Sequence, residues 1–129
     1  MAYNAFLSHS RLDIWLAQAI KTRASQFGID VYLYEYDVRP GTQLAQKVQS
    51  AIDRSDCVIV LLTRRSESAA YVHQEIGYAK GRGKLVVPLV EKGIRRESLA
   101  MLEGTEYILL DHANPGQASS QLFDFLARE

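Results

Sequence analysis

Two groups of polar side chains in the sequence have the types and spacing to do chemistry together. The first is Ser8-His9-Ser10, which directly follows a short apolar run over residues 3–7. The second is the pair Tyr71 and Glu75, whose i, i+4 spacing places both side chains on one face of a helix. With a planar donor from Arg39, these groups offer a carboxylate, a ring, hydroxyls and a cation. A crevice lined in this way would suit a nucleotide with its base and phosphates.

Positioning these groups on one crevice requires a particular arrangement of strands and helices, which the apolar pattern predicts. Short apolar runs alternate with longer amphipathic stretches, and this alternation repeats five times. We therefore expect an α/β fold of the flavodoxin-like type, a five-stranded parallel sheet in the order 2-1-3-4-5 with helices on both faces. The predicted strands cover residues 3–7, 29–34, 57–62, 85–90 and 107–110, and the predicted helices cover 11–27, 44–52, 67–81, 99–102 and 117–128.

Five residues carry sharper structural expectations. Trp15 lies on the apolar stripe of the first helix and is expected in the core. Gly28 should end that helix in a left-handed conformation, and Phe125 should face inward from the last helix. Cys57, the only cysteine, lies in an apolar strand and is expected to be a small core residue rather than a reactive thiol. Pro88 is expected to interrupt pairing near the end of its strand.

Length and composition limit the classes of function. The 129 residues correspond to one ordinary domain, predicted to span 1–129, and 15 basic and 15 acidic residues cancel to a net charge of 0. This balance argues against a dedicated nucleic-acid or membrane-surface binder, which usually carries a basic excess. No leader-like segment or run approaching the ~20 apolar residues of a membrane span is present. A reducing, cytoplasmic setting is therefore expected.

The location of a ligand site follows from the predicted fold. In open parallel sheets, ligands bind beyond the carboxyl ends of the strands. This rule selects Ser8–Arg11, the 37–42 loop with Arg39, and the 63–68 loop that leads to Glu75. Each residue also has a plain structural reading. Glu75 could be a solvated helix residue and Arg39 an exposed loop residue, Tyr71 could be a packing residue, and Ser8 or Ser10 could cap the first helix, with Ser10 the better cap candidate.

Several segments, in order along nearly the whole chain, resemble those of TIR (Toll/interleukin-1 receptor) domains, in particular prokaryotic members. The segments that carry this resemblance are Ala5-Phe6-Leu7-Ser8-His9-Ser10 with Asp13 and Trp15; Gly28-Ile29-Asp30-Val31-Tyr32-Leu33; the BB loop Asp37-Val38-Arg39-Pro40-Gly41; residues 51–63; Ser66, Ser68, Tyr71, Val72, Glu75, Ile76, Gly77 and Ala79; and Val86-Val87-Pro88-Leu89.

The resemblance implies an activity and a set of site residues. Many such TIR domains cleave NAD+ at the nicotinamide–ribose bond, often in immune or stress signalling, and the helix glutamate that is catalytic in them corresponds to Glu75. The family's aromatic residue four positions earlier is often Trp, and Tyr71 keeps a ring there while adding a hydroxyl. Ser8-His9-Ser10, Arg39 and Tyr71 are the expected substrate-binding residues. NAD+ would be the substrate rather than a recycled cofactor, and no metal is implied.

A single carboxylate suffices for this chemistry. Breaking the bond from ribose to a cationic nicotinamide leaves an oxocarbenium-like ribose, which a nearby carboxylate can stabilise. Nicotinamide leaves as a neutral molecule, so no general acid is required. Attack by water would give ADP-ribose, whereas attack by the substrate's own adenine or ribose hydroxyl would give a cyclic ADP-ribose; both products stay open.

Other functions are also compatible with this fold. The resemblance equally implies a non-catalytic module that binds other TIR domains by self-association through the 37–42 loop, and head-to-tail assembly often completes the site in family members. Scaffold-only members often lack the glutamate, so Glu75 favours the enzyme. A phosphoacceptor receiver would need an aspartate at the end of strand three and an acidic pair after strand one. The sequence has Leu61-Leu62-Thr63 and Leu7-Ser8-His9 there, so this reading fails.

Overall fold

The computed structural model describes residues 3–36, 40–66, 69–95, 102, 104–111 and 113–128. Within these residues the structure has five strands and four α-helices. They are β1 (Tyr3–Ser8), α1 (Ile14–Ser25), β2 (Ile29–Tyr32), α2 (Leu44–Arg54), β3 (Cys57–Leu62), α3 (Ala70–Gly81), β4 (Leu85–Glu91), β5 (Ile108–Leu110) and α4 (Pro115–Leu126). Short 3-10 helices at Arg11–Asp13 and Tyr34–Tyr36 follow β1 and β2. No described helix is long and apolar enough to cross a membrane.

The strands form one parallel sheet in the order β2-β1-β3-β4-β5, which confirms the predicted flavodoxin-like arrangement. The central strand β3 runs over Cys57–Leu62, as the apolar run predicts, and every residue in it is buried. Continuous burial is typical of a strand covered by helices on both faces. The carboxyl ends of β1 and β3 are neighbours, since Ser8 is paired with Val60. Side chains that follow these two strands are therefore brought together.

Two apolar layers cover the two faces of the sheet. One contains the buried sides of α1 and α4, including Ile20 and Leu122. The other contains those of α2 and α3, including Ile52 and Ile76. The three-layer architecture leaves α2 and α3 side by side on one face. Both helices begin at the carboxyl edge of the sheet, because each follows a parallel strand that has just ended.

The prediction that Trp15 belongs to the core is wrong, since its side chain is 82% exposed. The predicted helix over 11–27 divides into a 3-10 helix and α1, and the buried face of α1 is formed by Ala17, Ile20 and Ala24. At 100° per residue, Trp15 lies about 200° from Ala17 around the helix axis and so points away from the sheet. Small alanines on the buried face allow α1 to lie close to the strands.

Two further expectations about packing are wrong. Phe125 is 37% exposed, because α4 turns Leu122, Phe123 and Leu126 toward the sheet instead. Pro88 does not interrupt the pairing of β4 with β3, whose register continues through Val90. On the other side of β4, pairing with β5 begins only at Leu89, the residue after the proline.

Other predictions are confirmed wholly or in part. Cys57 is fully buried, and this burial raises the pKa of its thiol to about 11, which fits a structural residue. Gly28 has a φ of 75°, a left-handed conformation that favours glycine, but α1 ends before it, at Ser25, with Gln26 as its C-cap. The short helix expected around 99–102 lies outside the described residues except for Leu102, which is buried.

Candidate functional site

Glu75 lies at the centre of the candidate site and is held by a residue distant in sequence. Its side chain projects from the second turn of α3 toward the end of β1, where the Ser8 hydroxyl donates a hydrogen bond of 2.5 Å to Glu75 Oε1. Ser8 is fully buried, and Glu75 is only 8% exposed. No other described residue donates a hydrogen bond to this carboxyl group. One oxygen is therefore oriented by Ser8, while the other has no donor among the described residues.

Burial gives the Glu75 carboxyl an unusual affinity for a proton. Desolvation is the largest effect and raises its pKa from 4.5 to about 7, and the nearby Glu35 carboxylate also raises it. The Ser8 hydrogen bond acts in the opposite direction, because it stabilises the ionised form. At neutral pH the group is present in comparable amounts of its acid and its carboxylate. A carboxyl group in this state can either stabilise a cation or exchange a proton.

A cavity of about 470 Å³ lies in the groove between α2 and α3. This volume is within the range of small-molecule sites. On α3 the lining residues recur at i, i+3, i+4 and i+7, so they form one continuous face of the helix that includes Glu75. The lining residues are Arg11, Tyr34, Leu44, Ala45, Val48, Gln49, Ile52, Tyr71, Gln74, Glu75 and Tyr78.

The two ends of this groove are fixed by polar contacts. At the carboxyl edge, the backbone N–H of Arg11 donates to the Tyr71 hydroxyl at 3.1 Å, which ties α3 to the loop after β1. At the other end, the Tyr78 hydroxyl donates to both oxygens of Asp53 at 3.0 Å each. Arg82 Nε donates to the same carboxylate at 3.0 Å and links α3 to α2. α3 is thus joined to the loop after β1 at one end of the groove and to α2 at the other.

A second carboxylate, Glu35, lies beside the site and was not predicted from the sequence. His9 is fully buried, and its Nε2 lies 2.7 Å from Glu35 Oε2. Its Nδ1 lies 3.1 Å from the carbonyl oxygen of Leu7. A carbonyl only accepts, so Nδ1 is the donor in that contact, and Nε2 faces the carboxylate. Consecutive residues of β1 and its loop, Ser8 and His9, therefore each bind a glutamate.

Tyr34 connects this pair to the cavity. Its ring stacks on His9 with centroids 5.7 Å apart, and it lines the cavity. The Lys47 ammonium group lies 5.9 Å from the centre of the same ring. Burial raises the pKa of Tyr34 to about 12, helped by the Glu35 charge, so its hydroxyl stays protonated at neutral pH. β2 ends at Tyr32, earlier than the predicted residue 34, so Tyr34 and Glu35 come before the 37–42 loop that the strand-end rule had selected.

The loops around the site are tied to each other through buried side chains. Ser10 caps the 3-10 helix after β1, since its Oγ accepts from the N–H of Leu12 at 3.2 Å. Thr63 Oγ1, at the end of β3, donates to Asp13 at 2.6 Å. Both residues are buried. The hydrogen bond from Thr63 to Asp13 therefore joins the loop after β3 to the loop after β1.

The structure brings some of the predicted site residues together and separates others. Glu75 and Tyr71 both line the cavity, and the Ser8 hydroxyl donates a hydrogen bond to Glu75. His9 is buried behind Tyr34, and Ser10 acts as a cap outside the cavity lining. Arg39 lies outside the described residues. Their roles in binding and catalysis remain predictions.

Comparison with known proteins identifies the family. A family model described as "TIR domain" matches residues 5–123. The chain belongs to the TIR domain family. The matched region contains all five strands except for the first two residues of β1, and it contains both Ser8 and Glu75. No curated protein sequence matches this TIR domain.

Solved structures with the same fold have diverged far in sequence. The TIR domains of the activated Roq1 resistosome, which recognises the pathogen effector XopQ, match with a TM-score of 0.76 and 14% identity, covering 97% of this chain and 99% of that one. The TIR domain of the Toll-related receptor TRR-2 from Hydra magnipapillata matches with 0.74 and 18%, covering 98% and 97%. The CMP N-glycosidase BcmB from Clostridium botulinum matches with 0.62 and 17%, covering 92% and 97%. At such identities these likenesses show the fold.

Proposed function

We propose that this TIR domain cleaves NAD+ at the nicotinamide–ribose bond, with Glu75 as the catalytic residue, in an immune or stress signalling response. The observation that carries the proposal is the buried Glu75 carboxyl on the wall of a 470 Å³ cavity, with one oxygen held by Ser8. Perturbed carboxyl groups in clefts are frequent at catalytic sites. One protein of similar fold is named a CMP N-glycosidase, an enzyme that breaks an N-glycosidic bond.

The proposed reaction needs one carboxylate and no acid. The bond between C1′ of the ribose and the pyridinium nitrogen breaks, and its electron pair goes to the nitrogen, so nicotinamide leaves as a neutral molecule. The positive charge that develops on the ribose is stabilised by ionised Glu75 in a site of low polarity. A water molecule then bonds to C1′ and gives a proton to the carboxylate or to solvent, which yields ADP-ribose. Attack by the substrate's own adenine or a ribose hydroxyl would instead yield a cyclic ADP-ribose.

The cavity supplies the two other requirements of the reaction. Tyr71 and Tyr34 offer aromatic surface for a flat base, and their hydroxyls offer polar contacts at the carboxyl edge of the sheet. Apolar side chains of α2, including Val48 and Ile52, form the opposite wall and lower the polarity of the site, which strengthens the interaction between the carboxylate and a developing cation. Arg11 is a lining residue with a positive charge, suited to a phosphate group.

The test is direct. The purified chain is incubated with NAD+ at high protein concentration, and the products are separated by chromatography and identified by mass spectrometry. We expect nicotinamide to be released, and its release to fall at least a hundredfold in Glu75→Gln. The matched control is Glu106→Gln, which changes an exposed glutamate just before β5. This variant should keep full activity. Survival of NAD+ under conditions that drive self-association would contradict the proposal.

A second candidate function is a non-catalytic TIR–TIR interaction module, favoured by two large apolar side chains that are exposed to solvent. Trp15 is 82% exposed and Leu12 is 63% exposed, both near the start of α1. Pro40, Gly41 and Thr42, the described part of the 37–42 loop, are also exposed. A chain that self-associates but leaves NAD+ intact, with no effect of Glu75→Gln on any product, would favour this function over the enzyme.

A further inference from the structure

Two glutamine side chains in the cavity have no hydrogen-bond partner among the described residues. Gln49 on α2 and Gln74 on α3 both line the cavity, and both are exposed. Neither amide hydrogen-bonds to another residue that the structure describes. Each therefore presents an amide donor and an amide acceptor that are free for a ligand.

The positions of Gln49 and Gln74 along their helices show how the two amides lie relative to each other and to Glu75. Gln74 directly precedes Glu75 and lies four residues after the start of α3, or about 6 Å along the axis. Gln49 lies five residues after the start of α2, or about 7.5 Å along its axis. Both helices begin at the carboxyl edge of the sheet, so the two amides lie at similar depth on opposite walls of the cavity.

Aliphatic and aromatic side chains surround the two amides. On the α2 wall they are flanked by Leu44, Val48 and Ile52, and on the α3 wall by the rings of Tyr71 and Tyr78. A planar heteroaromatic ring fits between an aliphatic and an aromatic wall, while a few placed polar groups select its edge. Two primary amides match an edge that carries one hydrogen-bond donor and one acceptor, as the carboxamide of nicotinamide does.

We infer that Gln49 and Gln74 recognise the base of an N-glycosidic substrate by its donor–acceptor edge, and so determine which base this TIR domain releases. The inference deepens the proposed function and rests on it for the reaction, but the recognition itself is a binding property. The edge of nicotinamide in NAD+ and that of cytosine in a mononucleotide share this chemistry. A base whose edge is an anionic carboxylate, such as nicotinic acid, lacks the donor and would be repelled by Glu75.

The experiment measures catalysis and binding separately. NAD+ and CMP are each tested as substrates, and free nicotinamide, nicotinic acid and cytosine are tested as ligands by saturation-transfer NMR. The variants are Gln49→Leu and Gln74→Leu, with Gln46→Leu as the matched control, because Gln46 is an exposed residue of α2 outside the cavity lining. Both cavity positions are exposed, so thermal melting should show all three variants folded.

The expected result is a split between the kinetic constants. Each cavity variant should raise KM for the substrate that is cleaved, NAD+ or CMP, by about tenfold, the effect of one lost hydrogen bond, and leave kcat within about twofold. The preference for nicotinamide over nicotinic acid should fall in the same variants, a change that a merely structural role would not produce. Gln46→Leu should match the unmodified chain in every measurement.

The other outcomes separate this inference from the proposed function. If NAD+ is cleaved but both cavity variants keep the original KM and base preference, the inference is overturned. If NAD+ survives but nicotinamide binds and the variants lose it, base recognition stands and the proposed reaction fails. If cytosine binds and CMP is cleaved instead, the recognition stands with a pyrimidine as its base. If no free base binds the unmodified chain, the inference is overturned.

Discussion

At the scale of single residues, the Glu75 carboxyl is governed by two opposing effects. Burial disfavours its charge, and the Ser8 hydroxyl favours it, with burial the larger. The net result is a group whose pKa of about 7 lies near neutrality, where small changes in its surroundings alter its charge. Such a group influences both the stability of the fold and the pH dependence of any reaction that it performs.

The raised pKa predicts that Glu75 destabilises the fold at neutral and higher pH. As pH rises from about 4.5 to about 7, the unfolded chain loses this proton before the folded chain does, so stability falls through that window and the loss is constant above it. Glu75→Gln removes the effect and should stabilise the fold above pH 7 by up to about 3 kcal/mol, with little change below pH 4.5. Thermal or urea unfolding across pH measures this, with Glu106→Gln as the control. Equal gains at pH 4 and pH 8 would exclude ionisation as the cause.

The Ser8 hydrogen bond predicts a shift of the activity profile. If ionised Glu75 drives NAD+ cleavage, the rate should rise with pH through about 7. Ser8→Ala removes a bond that lowers the pKa of Glu75, so the rise should move to higher pH. Rates of nicotinamide release between pH 5 and pH 9 provide the measurement. An unchanged midpoint in Ser8→Ala would show that another group sets the profile.

At the scale of elements, the loops that carry the site are joined through buried hydrogen bonds rather than through apolar packing. The Thr63 hydroxyl at the end of β3 reaches Asp13, 50 residues earlier, and both side chains are almost entirely enclosed. The same edge of the sheet carries the Ser8–Glu75 and His9–Glu35 contacts. Three carboxylates are thus bound by residues that lie at or beside the ends of the two central strands.

We predict that Thr63→Val lowers the stability of the fold. The side chains have similar shape, but valine leaves the buried Asp13 carboxylate without its donor, which costs about 1–3 kcal/mol. The free energy of unfolding in urea measures the loss. Thr22→Val, the same change at an exposed position of α1, should cost less than about 0.5 kcal/mol. Equal costs at the two positions would show that the Asp13 contact contributes nothing.

At the scale of the whole molecule, the apolar side chains divide into a buried set and an exposed set with different consequences. The buried set fills the two layers around the sheet. Trp15 and Leu12 belong to neither layer and lie on the outer side of the molecule. Exposed large apolar side chains that lie near each other often mark contact sites for other proteins. Their replacement should therefore change association more than stability.

We predict that Trp15→Ala leaves the melting temperature within about 2 °C of the original and weakens self-association. The reason is that an 82% exposed side chain loses little buried area when it is shortened. Sedimentation velocity over a range of protein concentrations tests association, and thermal melting tests stability. Phe125→Ala, a change at another partly exposed aromatic residue, is the control for a loss of apolar surface elsewhere. A large fall in melting temperature would show that Trp15 packs within the fold.

The amino-acid sequence by itself determined the architecture and the placement of the central residues. The alternation of apolar runs and amphipathic stretches predicts all five strands, and β3 matches its predicted limits. The i, i+4 spacing of Tyr71 and Glu75 correctly predicts a shared helix face, since both line one cavity. These features could be predicted because they depend on local periodicity and on the topological rules for parallel sheets.

Only the tertiary structure decided which polar groups meet and which side chains face outward. The Ser8–Glu75 contact joins residues 67 apart, and His9–Glu35 joins residues 26 apart, so neither leaves a local pattern. Helix α1 packs on the sheet through Ala17, Ile20 and Ala24, which leaves Trp15 exposed. The cavity and the pKa of Glu75 depend on the separation of α2 and α3 and on desolvation. These quantities arise from packing between distant segments, which periodicity along the chain does not contain.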